Sequence, residues 1–245
     1  MRPETVEIKV TVSGDQVAPA ITELGLDGGK SWSVLFFEDV TGAVSPGTPL
    51  LEAGVILRAR QKSDAKGDST VKLRPCRWTQ LSDAFLTNWT KDDAELKIEA
   101  DWAGPKHGLA ASLTVDWADG RVREVTAGTR PATDLFTPVQ QDFLARCGRE
   151  PVNLAAISAL PAFRATRWDA IAGGAGLSIR PERWTLPGGD DFLELSIVSE
   201  PDQAPAQATA LDEFVAGHGL EPDRSQENKT QRVLASLMGP AVAPV

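Results

Sequence analysis

Residues 55–75 read VILRARQKSDAKGDSTVKLRP, and within them two strands carry cations at alternate positions. Neighbouring side chains of a strand point to opposite faces, so Arg58, Arg60 and Lys62 share one face while Val55, Leu57 and Ala59 share the other. The second strand repeats this, with Lys72 and Arg74 opposite Val71 and Leu73. The polar SDAKGDS between them suits a hairpin. Two adjacent strands then present one row of positive charge, and such a row is complementary to a polyanion.

The same alternation recurs on either side. Residues 5–12 place Val6, Ile8, Val10 and Val12 on one face and Thr5, Glu7, Lys9 and Thr11 on the other. Residues 94–102 set Glu95, Lys97, Glu99 and Asp101 against Leu96, Ile98, Ala100 and Trp102. Further strands are expected at 34–37, 109–117, 121–126, 162–168, 177–180 and 192–198, with those at 109 and 121 forming a hairpin around Ala118-Asp119-Gly120. Helices are expected at 16–24, with Asp15 as N-cap and Gly25 beyond its end, at 137–147, at 206–216, and at 226–238 behind a Ser225 cap. Eight or nine strands, mostly antiparallel, result. Charge on one face and aliphatics on the other suit a half-exposed sheet with its polar face in water, and equally a closed barrel with a polar interior.

With 245 residues, the chain is long enough for one large core, read as a single domain over 1–238 with an insertion near 106–154 and a disordered tail at 239–245. The formal charge of −9 argues against a general nucleic-acid binder, whose footprint is basic across the domain. The cationic strands therefore mark a local anion site. Cys76 and Cys147 lack zinc or redox spacing and read as buried free thiols, and His107 and His218 stand beside glycines in loop-like contexts. No apolar run approaches the ~18 residues of a membrane span, and MRPETVEIKV lacks a secretory hydrophobic region, so a cytoplasmic protein without a membrane partner is expected.

The order of these motifs resembles the CYTH superfamily, the triphosphate tunnel enzymes that include thiamine triphosphatases, inorganic triphosphatases and class IV adenylyl cyclases. That family opens with a Glu-x-Glu-x-Lys strand, and this chain has Thr5-Val6-Glu7-Ile8-Lys9. Phe36-Phe37-Glu38-Asp39 matches its aromatic-aspartate segment, and Leu51-Glu52-Ala53-Gly54-Val55-Ile56-Leu57-Arg58-Ala59-Arg60 its Leu-Arg-x-Arg strand. Val71-Lys72-Leu73-Arg74-Pro75 follows as the Leu-Lys strand, Glu95, Lys97 and Glu99 as the strand of spaced glutamates, and residues 164–168 as the arginine strand. Glu194-Leu195-Ser196 and Asn228-Lys229 answer the late Glu-x-Glu strand and the helix beginning Ser-Lys.

The resemblance implies an α+β fold built on an eight-stranded antiparallel closed β-barrel with flanking helices, whose interior binds triphosphate. It carries phosphate binding to Lys9, Arg58, Arg60, Lys72, Arg74, Arg164, Arg167 and Lys229, and metal binding to Glu7, Glu99 and Glu194, with Mg²⁺ or Mn²⁺ as the ion. The partner implied is a triphosphate-containing small molecule or polyphosphate, and the reaction is metal-dependent hydrolysis of the anhydride. Three positions depart from the pattern: Thr5 and Ser196 stand where glutamates are usual, and Arg180 where relatives carry an acid. Fewer carboxylates keep open the alternative of a weak or inactive relative that binds polyphosphate or nucleotide without turnover, and a scaffold whose charged strands face water ranks third. No segment supplies a recognisable purine pocket, which ranks cyclase activity below hydrolysis.

Overall fold

The computed structural model describes residues 1–40, 47–223 and 229–238. In chain order its elements are β1 (Thr5–Ser13), α1 (Val17–Glu23), β2 (Lys30–Asp39), α2 (Pro49–Glu52), β3 (Val55–Gln61), β4 (Gly67–Cys76), β5 (Trp89–Lys91), β6 (Ala94–Ala103) and β7 (Lys106–Trp117). They continue with α3 (Arg121–Thr126), α4 (Pro138–Cys147), β8 (Ile157–Ala159), β9 (Phe163–Arg167), β10 (Ile171–Ala172), β11 (Ser178–Thr185), β12 (Asp191–Ser199), α5 (Ala204–Gly217) and α6 (Lys229–Met238). Nine of the strands close a ring in the order β1-β12-β11-β9-β2-β3-β4-β7-β6 and back to β1. The short β5, β8 and β10 pair outside the ring with β6, β2 and β11.

Closure confirms the barrel and corrects two details of the expected eight-stranded antiparallel form. The ring has nine strands, and its β1–β6 seam is parallel, running from Thr5 beside Glu99 to Lys9 beside Ala103. An odd ring cannot alternate direction all the way round, so one parallel pair is a geometric necessity. The other junctions are antiparallel, including the cationic β3–β4 hairpin, where Arg58 stands opposite Thr70 and Arg60 opposite Asp68.

Closing the sheet separates the two faces of every strand. On one flank the outward Leu35, Phe37, Val55, Leu57, Val71, Leu73, Leu96 and Ile98 pack beneath Val122 and Val125 of α3 and Phe143 and Leu144 of α4. On another, Val6, Ile8, Val10 and Val12 of β1 and Leu193, Leu195 and Ile197 of β12 pack beneath Val17 and Ala20 of α1 and Leu211 and Val215 of α5. Full burial of one such side chain contributes roughly 1.5–3 kcal/mol. The apolar half of the alternation therefore holds the barrel together, which leaves its inward half available for polar groups. Part of that interior is apolar as well: Val34, Phe36, Phe163, Trp184 and Phe192 cluster with Val233 and Leu234 of α6.

Several local expectations are revised. Residues 121–126 form α3 rather than a strand, because Val122 and Val125, three apart, both turn into the core, and Gly120 at φ 80° supplies the left-handed turn before it. Asp15 lies in a 3-10 turn and does not cap α1, whose N-cap is Gln16. Residues 34–37 prove to be the middle of the ten-residue β2. Helix α4 begins as expected, on a capping box between Thr137 and Gln140. The region read as an insertion contains ring strand β7 together with α3 and α4. Ser225, the start expected for the last helix at 226, and the tail at 239–245 fall outside the described residues.

Candidate functional site

The inward polar side chains surround a cavity of about 530 Å³. Among the described residues eight cations line it, Lys9, Arg58, Arg60, Lys72, Arg74, Lys97, Arg167 and Arg180, against the four carboxylates Glu7, Glu95, Glu99 and Glu182. Phe36 and Ile56 line it too and belong to the aromatic cluster, so one wall of the cavity is apolar. Charges facing an enclosed space with an apolar wall are poorly screened, and each interaction there is stronger than on an open surface.

Lys97 pairs with Glu95 at 3.1 Å, and the other seven cations fall into three groups. In the first, Lys9 Nζ is 2.7 Å from Glu7 Oε2 and 2.9 Å from Asp101 Oδ1, and Arg74 Nη1 donates to Asp101 Oδ2 at 2.7 Å. Lys72 Nζ lies 3.7 Å from both Glu99 Oε1 and Asp101 Oδ2. Burial alone would raise the Asp101 pKa, but Lys9, Lys72 and Arg74 hold it well below the usual carboxylate range. Burial likewise opposes ionisation of Glu7, and Lys9 with Lys72 overcomes it, setting its pKa at about 2. Lys9 is raised above the ordinary lysine value, since Glu7 and Asp101 outweigh its burial. Lys72 is pushed down and Glu99 pushed up, in both cases chiefly by burial.

The second group is held by Asp68 of β4, which is 0% exposed. Arg60 Nε donates to both its carboxylate oxygens at 3.0 Å, and Lys62 Nζ is 2.8 Å from Oδ2. The third group consists of Arg58, Arg167 and Arg180, none of which has a carboxylate within 4.0 Å among the described residues. Arg58 donates through Nη2 to Thr70 Oγ1 at 3.4 Å, while its Nε is buried without a hydrogen-bond partner. Burial, followed by the neighbouring Arg60, pushes the Arg58 pKa down to about 10. A charged guanidinium held in this position keeps an unused donor in a place where an unpartnered polar group is costly.

Six of the eight residues singled out from sequence for phosphate thus converge on the cavity. Arg164 does not: it is exposed on the outer face of β9, because Phe163, Ala165 and Arg167 take the inward positions of that strand. Lys229 is the first residue of α6, and its side chain falls outside the described residues, while the neighbouring Thr230 lines the cavity. Among the acids, Glu7 and Glu99 line the cavity. Glu194 is 4% exposed, close enough to act electrostatically on Lys9, and the register partner of Glu182 across β11 and β12. Among the described residues no three His, Cys, Asp or Glu side chains are grouped as a ready-made metal cage. Both cysteines are buried and free. His107 is in β7 rather than a loop, stacked on Trp102, and His218 closes α5.

Sequence reasoning missed the two organising acids. Asp101 belongs to the same alternation as Glu95 and Glu99, but nothing in the sequence announces that strand closure brings cations of β1 and β4 to it. Asp68 sits in what reads as hairpin loop. No protein-family model matches the sequence, and no curated protein does. Among solved structures, the chain superposes on a candidate adenylyl cyclase from Hippeastrum described as having a dominant triphosphatase activity, with TM-score 0.59 and 16% identity over 96% of this chain and 98% of that one. The chain shares that protein's fold, the closed barrel that the CYTH-like order of motifs implied. A candidate adenylate cyclase from Bacillus halodurans shows the same fold, with TM-score 0.56 and 14% identity over 94% of this chain and 98% of that one. Thr5, Ser196 and Arg180, the three departures from the expected motif pattern, all line the cavity.

Proposed function

We propose that the tunnel binds the triphosphate group of a small molecule, or the end of a polyphosphate chain, and hydrolyses a phosphoanhydride bond with the help of a divalent metal ion. The observation that carries this reading is Arg58, an inward guanidinium with an unpartnered Nε, and on the same cavity two further arginines, Arg167 and Arg180, with no carboxylate within 4.0 Å among the described residues. Charge-assisted bonds from guanidinium to phosphate oxygens are strong and directional, and three such groups suit a chain of phosphates better than a single carboxylate ligand. The triphosphatase activity described for the Hippeastrum protein of the same fold supports this chemistry.

The acids present fit a metal that takes part of its ligand set from the substrate. Mg²⁺ is commonly held by one or two carboxylates plus phosphate oxygens, and Mn²⁺ accepts the same donors. Glu194 and Glu182, opposite each other on β12 and β11, would hold it, with Glu7 and Glu99 as oxygen donors from β1 and β6. The chemistry supplied by a bound ion there would be neutralisation of charge on the phosphate oxygens and polarisation of a water. Arg58, Arg167 and Arg180 then grip the oxygens of the phosphates that do not react, and the wall of Phe36 and Ile56 limits bulk water.

A second reading, binding without turnover, is favoured by Thr5 and Ser196, which place uncharged side chains on the cavity where the family pattern has glutamates. The test is phosphate release from inorganic triphosphate, thiamine triphosphate and ATP in Mg²⁺ or Mn²⁺. Release that is lost in Glu194→Ala while the fold survives supports hydrolysis at this site. Tight tripolyphosphate binding by calorimetry without release selects the second reading, and absence of binding refutes both.

A further inference from the structure

We infer that Asp101 is a built-in counter-anion that holds down the tunnel's affinity for phosphate chains, an inference that rests on the tunnel being a triphosphate site. Lys9 on β1 and Lys72 and Arg74 on β4 all turn toward this one carboxylate of β6, at 2.9, 3.7 and 2.7 Å. Asp101 is 9% exposed and stands behind these cations rather than on the cavity surface. An ammonium has three donors. Lys9 already directs two of them, to Glu7 and to Asp101.

Charge makes the same point. Three cations, Lys9, Lys72 and Arg74, meet three carboxylates within 4.0 Å, Glu7, Glu99 and Asp101, so the charges in direct contact cancel. A metal ion could draw Glu7 and Glu99 away from their lysines because both line the cavity. Asp101 is covered by the cations it binds, so its charge opposes the ligand in every state of the tunnel. A phosphate chain therefore meets the arginines Arg58, Arg167 and Arg180 at full strength and the Lys9-Lys72-Arg74 group at reduced strength. Binding a polyanion uniformly through all eight cations would lower KM without raising kcat and would slow release of anionic product. Asp101 limits that loss and acts as a positioning residue, since it reaches the ligand only through its cations.

Tripolyphosphate titrated calorimetrically without metal, into the full chain, tests this. Asp101→Asn keeps the side-chain shape and should bind at least tenfold tighter, about 1.4 kcal/mol, with KM and kcat both falling in the metal-supported reaction. Arg74→Met should bind more weakly, and the double variant Asp101→Asn/Arg74→Met, which removes a cation and its counter-anion together, should return to within about threefold of the unaltered chain by the cancellation expected in a double-mutant cycle. Unchanged or weaker binding by Asp101→Asn overturns the inference. Should that variant not fold, the charge-balanced double variant decides, and a tenfold loss in it overturns the inference as well. Failure of the unaltered chain to bind tripolyphosphate sinks the triphosphate reading itself, a result distinguishable from either.

Discussion

Replacing Arg58 by methionine should make the protein more stable and a far poorer anion binder. Burial and the nearby Arg60 lower the Arg58 pKa from 12.5 to about 10, and at about 1.36 kcal/mol per pKa unit the charged form costs the fold about 3 kcal/mol. Arg58 is only part-buried, so about 1–2 kcal/mol of that is recoverable. Methionine forfeits the 3.4 Å contact with Thr70 but keeps an unbranched stem against Ile56 and Phe36. A net gain of about 1 kcal/mol raises Tm by roughly 2–4 °C in a chain of this size. Two lost charge-assisted bonds to phosphate should weaken tripolyphosphate at least 100-fold, about 2.7 kcal/mol. Thermal unfolding and calorimetric titration read the two effects separately. A variant with lower Tm and undiminished tripolyphosphate affinity would refute the reasoning, because Arg58 would then serve the fold.

Arg164→Ala, on the outer face of β9, should leave tripolyphosphate affinity within about twofold of the parent, whereas Arg167→Ala should weaken it at least tenfold if its cation contributes one charge-assisted contact; equal effects would contradict the inward register of β9. Glu7 has a pKa depressed from 4.5 to about 2, so its contribution to stability is complete above pH 4.5 and is lost as pH falls toward 2, to a total of about 3 kcal/mol. Urea unfolding between pH 6 and 3 should therefore show a shallower acid loss in Glu7→Gln than in the parent, and parallel profiles would exclude this linkage.

The fold was legible where one period governed a whole strand. In β1 and β3 the outward residues, Val6 to Val12 and Val55 to Ala59, pack under helices while Lys9, Arg58 and Arg60 face inward, so a period of two recorded both faces at once. The same pattern could not announce closure, because a half-exposed sheet alternates equally, and it could not reveal the parallel β1–β6 seam, which arises from the number of strands in the ring. Residues 121–126 misled because valines favour strands locally, and the core contacts of Val122 and Val125 overrode that preference. At the site, Lys9, Arg58, Lys72 and Arg74 could be found from their strands one at a time. Arg164 and Arg167 could not be separated, since an odd step within a short strand reverses the face and only the packing of Phe163 and Ala165 fixes it. Asp101 and Asp68 were opaque because their partners come from other strands.

The most direct test is a crystal structure of the protein grown with tripolyphosphate. The account predicts a phosphate chain inside the barrel, with an oxygen within hydrogen-bond distance of Arg58 Nε and further oxygens on Arg167 or Arg180. Tripolyphosphate bound only on the outer surface, with Arg58 Nε still unpartnered inside the barrel, would contradict it.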